Sequence, residues 1–79
     1  MAWEGIDLYN VISRNVAQIG YDNENNVLCV VFNNGRRYEY YNVPPDVWES
    51  FMTAESKGRF VHTNLKGFYD YGVVSNSEF

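Results

Sequence analysis

The run Val27-Leu28-Cys29-Val30-Val31-Phe32 is apolar at every position. Successive side chains of a strand point to opposite faces, so Leu28, Val30 and Phe32 fall on one side and Val27, Cys29 and Val31 on the other. An antiparallel sheet with one wet face alternates apolar and polar residues, whereas a strand apolar on both faces needs cover on both. This requirement limits the chain to folds in which a thin sheet is shielded front and back.

The flanking residues supply strands of the antiparallel kind. Residues 14–21, RNVAQIGY, read as a first strand, followed by the polar loop Asp22-Asn23-Glu24-Asn25-Asn26. Asn33-Asn34-Gly35 is a tight-turn signal, since Asn and Gly tolerate the positive φ that hairpins require. A third strand over 36–41 places Arg36, Tyr38 and Tyr40 on one face and Arg37, Glu39 and Tyr41 on the other. Three strands joined by short loops make a meander.

Pro44-Pro45 then ends the sheet and starts a helix, because Pro lacks an N–H and carries a φ suited to a first helical turn. Val47, Trp48, Phe51 and Ala54 recur at helical spacing, with Met52 widening the stripe and Asp46 and Glu49 in the first turns. Ser56 is the expected N-cap of a second helix running to about Leu65, with Phe60, Val61 and Leu65 as its apolar positions. The fold class is therefore α+β, a three-stranded antiparallel meander followed by one or two short helices packed on one face. The other face falls to the N-terminal arm, the C-terminal tail or a second subunit, and a homo-oligomer is expected on that ground. The arm spans 1–11 and could be an edge strand, a frayed arm or a one-turn helix; the domain spans 12–74. Phe68, Tyr69, Tyr71, Val73 and Val74 add a strand or cross the helices, and 75–79 form a loose tail.

Seventy-nine residues make one domain. A single cysteine excludes an internal disulfide, and Cys29 within its apolar run reads as a small hydrophobe. One Cys and one His cannot assemble a zinc site, no glycine-rich phosphate loop occurs, and no nucleophile–base pair stands out, so no cofactor and no enzyme activity are expected. Neither a signal peptide nor an apolar run of membrane length is present, and the cytoplasm is the expected setting.

The net charge of −4 argues against a grip on long nucleic acid, which depends on phosphate neutralisation. The distribution is more informative. Lys57, Arg59 and Lys66 lie in a stretch with no acid between Glu55 and Asp70, and Arg36-Arg37 adds a second basic spot. Aromatic residues make up 18% of the chain, enough to serve both a core and a stacking surface. A nucleotide or nucleic-acid module would use Lys57, Arg59 and Lys66 with Arg36 and Arg37 on phosphates. Backbone N–H groups around Ser56, Lys57 and Gly58 would help, and Tyr40 and Tyr69 would stack on bases. The other function class is a protein-interaction or self-associating module whose aromatic face binds a partner.

The segments NVAQIGYD and LCVVFNNGRRYEYYNVPPDVWESFMTAESKGRF together resemble the KTSC domain. The family's Tyr-x-Tyr motif falls on Tyr38 and Tyr40, its Val-Pro segment on Val43-Pro44, and its Ala-x-Ser-x-Gly segment on Ala54, Ser56 and Gly58. The resemblance covers roughly 12–71. Where the family often carries Tyr-Phe-Asn after Ser-Lys-Gly, this chain has Arg59-Phe60-Val61-His62. The resemblance implies a small domain of bacterial or phage proteins that also occurs at the C-terminus of some lysyl-tRNA synthetases, a context that points to RNA. It carries over no catalytic residue.

Overall fold

The computed structural model describes residues 3–74. The strands are β1 (Leu8–Asn10), β2 (Val16–Asp22), β3 (Val27–Phe32), β4 (Arg37–Tyr40) and β5 (Tyr71–Val74). Between β4 and β5 come α1 (Pro45–Thr53) and α2 (Lys57–Phe60), the latter continuing as a π-helical turn over Val61–Leu65. All five strands form one antiparallel sheet in sequence order. The three-stranded meander is thus the centre of a wider sheet, and the arm and the tail each contribute one edge strand. Strands of three and four residues have little periodicity of their own. β1 and β5 exist because β2 and β4 offer them unpaired backbone donors and acceptors.

Helices cover one face. Val16, Ile19, Leu28, Val30 and Tyr40 from the sheet pack with Val43, Phe51, Val61 and Leu65 from the corner and helices. Register explains the match, since Ile19 opposes Val30 and Val30 opposes Tyr38 on the same side. Trp48 stacks on Tyr21 with centroids 5.6 Å apart and planes 8° from parallel. Met52 is exposed and does not widen the buried stripe.

The strand-to-helix corner is locked by three contacts. Asn42 takes a left-handed φ of 57°, the Val43 amide donates to the Asn26 carbonyl at 2.9 Å, and the Tyr21 hydroxyl donates to the Val43 carbonyl. Burial first, then the charges of Asp22 and Asp46, raises the Tyr21 pKa and keeps that hydroxyl a donor. Ser56 is the N-cap as expected, its Oγ accepting from the Arg59 amide at 3.2 Å. Lys57 turns back, its Nζ donating to the Met52 and Ala54 carbonyls at the end of α1. The Lys66 amide reaches the Val61 carbonyl five residues back, and Gly67 at φ +86° stops the helix.

The arm covers the other face. Trp3, 9% exposed, packs with Cys29, Val31 and Val74, and Ile6, Leu8, Ala17 and Val27 surround them. Its Nε1 donates to Glu39 Oε1 at 2.6 Å, and the Arg37 guanidinium lies 5.5 Å from the indole centroid. Gly20 lets the arm pass, since a Cβ there would sit 2.8 Å from the Asp7 carbonyl oxygen. The second shield is therefore part of the same chain. Apolarity on both faces of β3 does not call for a second subunit. Cys29 is sealed beneath this layer, and burial, helped by Glu39 and Asp22, pushes its thiol up to about 12. The expected loose tail, 75–79, lies outside the described residues.

Candidate functional site

Beyond the edge of the helical cover, β3, β4 and β5 carry a run of packed rings. Phe32 meets Tyr38 edge-on at 5.2 Å, Tyr38 stacks on Tyr71 at 5.7 Å and 17°, and Tyr40 tilts against Tyr71 at 6.0 Å. The alternation of β4 puts Tyr38 and Tyr40 on the helix side, and pairing Tyr40 with Tyr71 brings the third tyrosine beside them. Between these rings and the second helix runs a groove of about 520 Å³. That size suits a small ligand.

The groove's polar groups come from three places. The Asn33–Arg36 turn supplies Asn34 and Arg36, held by Gly35 at φ +88° and by Asn34 Oδ1, which accepts from the Arg36 amide at 3.0 Å. The π-helical turn supplies His62, and Lys66 follows one turn later on the same side. Asn15 lies opposite Gly58, where a Cβ would come within 3.4 Å of its Nδ2, so glycine lets the helix approach the start of β2. No acidic residue among the described residues lines this groove. Burial, then the neighbouring Tyr38 and Tyr71, raises the Tyr40 pKa, so its phenol stays protonated at neutral pH.

The structure gathers Arg36, Tyr40, Gly58 and Lys66 at this groove and disperses the other residues named from sequence. Arg37 is on the opposite face over Trp3. Lys57 and Ser56 are occupied at helix ends, and Arg59 is exposed on α2 outside the groove lining. Tyr69 packs against the core and lines a separate, smaller cleft beside α1 with Asp46 and Asn64. Tyr40 is only 3% exposed, so it offers no open ring face, whereas Tyr71 is 57% exposed. Tyr38, Tyr71 and His62 were missed as site residues. Strand alternation already put Tyr38 beside Arg36, but nothing local to Tyr71 or His62 announces the approach of β5 and the helix.

No helix of the described residues is long and apolar enough to cross a membrane. No group of His, Cys, Asp and Glu among them is placed to hold a metal ion.

Sheet, helical layer and grooves define a small α+β domain. Residues 12–71 match the KTSC domain, and the chain belongs to that family. It is similar to a protein of Tsukamurella paurometabola, at 41% identity over 56 residues that cover 71% of this chain and 84% of that one. It is also similar to a lysine–tRNA ligase of Nostoc punctiforme, at 33% identity over 60 residues, 76% of this chain but 11% of the ligase. Among solved structures, a KTSC domain protein from Yersinia pestis superposes with a TM-score of 0.84 at 33% identity. That match covers 90% of this chain and 100% of the other.

Proposed function

We propose that the chain is a non-enzymatic module that binds a nucleotide or a short single strand of nucleic acid in the groove beside β4 and β5. The observation that carries this reading is the set of lining residues: three tyrosines and a phenylalanine with Arg36, His62 and Lys66, and no carboxylate among the described residues, in a chain of net charge −4. Arg36 and Lys66 hold phosphate oxygens, and Tyr71 offers the open ring face for a base. The groove's volume of about 520 Å³ favours a nucleotide or a few residues of strand over long duplex. The occurrence of a similar segment within a lysine–tRNA ligase supports an RNA-related ligand.

The test is a calorimetric titration with a panel of nucleotides and short single-stranded RNAs, repeated at rising salt. Affinity should fall with salt, Arg36→Glu with Lys66→Glu should abolish it, and Tyr71→Ala should weaken it by roughly five- to 150-fold, the worth of one stacked base. Silence across the whole panel at low salt, with folded protein, would end the reading.

A second reading, a protein-interaction or self-associating module, is favoured by the edge strand β5. Val73 there and Phe68 just before it are well exposed, beside Tyr71. Light scattering over a concentration series, with Val73→Lys as the disrupting variant, separates the two.

A further inference from the structure

A second groove lies on the other side of α1, between that helix, β1 and the β2–β3 loop. We propose that it is a docking site for a cationic peptide segment, with arginine as the preferred side chain. This does not depend on the nucleotide reading, since the two grooves share no lining residue.

Two features converge here. The first is an aromatic wall, Trp48 stacked on Tyr21 and Tyr9 tilted 6.3 Å from Trp48. Tyr9 is 47% exposed, and the π-faces of such rings attract cations. The second is charge. Asp22 and Glu24 from the β2–β3 turn, Glu49 from α1, and Glu4 and Asp7 from the arm bring carboxylates from three segments to the rim, and no basic residue among the described residues lines the groove. This is half of the acidic residues of the chain, set around one cavity of about 750 Å³. Asp22 has a structural duty as well, accepting from the Glu24 and Asn25 amides to shape the loop.

The arrangement selects its occupant by chemistry. Phosphates and acidic peptides are repelled. A metal ion needs convergent ligands, and no such group exists among the described residues. Carboxylates spread around an aromatic wall instead fit several separated positive charges on a chain. Arginine is favoured over lysine because a planar guanidinium stacks on a ring while its edge donates to a carboxylate.

The experiment uses the full chain, labelled with ¹⁵N, and an acetylated, amidated hexa-arginine peptide at low salt. The Trp48 indole signal should shift while that of Trp3, on the far face, stays in place. Hexa-lysine should bind more weakly and hexa-glutamate not at all. The triple variant Asp7→Lys, Glu24→Lys, Glu49→Lys replaces exposed side chains, so it should keep the parent Trp3 signal and circular dichroism while losing affinity by about tenfold or more. Trp48→Phe should weaken hexa-arginine more than hexa-lysine. The proposal is overturned by an unmoved Trp48 signal at about 1 mM peptide, near −4 kcal/mol of binding, or by a triple variant that binds as the parent does. Spermine binding as tightly as the peptide would name a small polyamine instead. Self-association lost in the triple variant would name a second copy of the chain.

Discussion

Replacing Trp3 by alanine strips the second face of the sheet of its largest cover. A buried Trp removes roughly 150–250 Å² from water, about 4–6 kcal/mol at ~25 cal/mol per Å². Measured Trp→Ala losses of about 3–5 kcal/mol include the cavity left behind. The arm can relax more than a closed core, so ~3 kcal/mol is the expected cost. A domain of this size holds only about 4–12 kcal/mol in total, and each kcal/mol moves its melting temperature by roughly 4–8 °C. The melting temperature of Trp3→Ala should therefore fall by about 12–24 °C. Trp3→Phe keeps most of the area and loses the donor to Glu39, whose other oxygen still accepts from Tyr41 at 3.0 Å, so about 1–2 kcal/mol should go. Urea melts measure both. A disulfide reagent reports the cover directly, because Cys29 lies beneath the indole and its thiol, held near 12, is inert in the parent. Trp3→Ala should open it to modification under native conditions. A loss under ~1 kcal/mol with Cys29 still unreactive would refute the arm as the second shield.

Two further outcomes follow from the same layer. Gly20→Ala would place a Cβ 2.8 Å from the Asp7 carbonyl, a backbone atom that cannot turn away, so β1 should lift; a cost of about 1–3 kcal/mol and faster amide exchange at Leu8–Asn10 are expected, and parent-like exchange there would count against it. The Cys29 thiol has its pKa raised on folding, so its contribution is complete below the unfolded value near ~8.5 and is lost as pH rises towards about 12. Stability in urea should decline across that window more steeply in the parent than in Cys29→Ala, and equal slopes would assign the decline to the tyrosines alone.

Local chemistry made the centre of this molecule legible. β3 was readable to its ends, the Asn-Gly turn and the Pro-Pro corner fell where backbone preference puts them, and Ser56 announced its capping role. The candidate site was legible only in part. Arg36 and Lys66 were read as basic positions, but no local signal could reveal that Arg37 would be spent on Trp3, Lys57 on the end of α1, and Tyr40 on the core. Side-chain charge states a capacity, and only packing shows whether a neighbour has already used it.

The sequence alone determined that the central strand needed cover on both faces, because alternation along a strand is a covalent fact of the backbone. Which segment would supply the second cover was a tertiary decision. Trp3 won that place because β1 could pair with β2 over a glycine that let it pass, and at the opposite edge the longer-range pairing of β5 with β4 brought Tyr71 beside Tyr38 and created the groove.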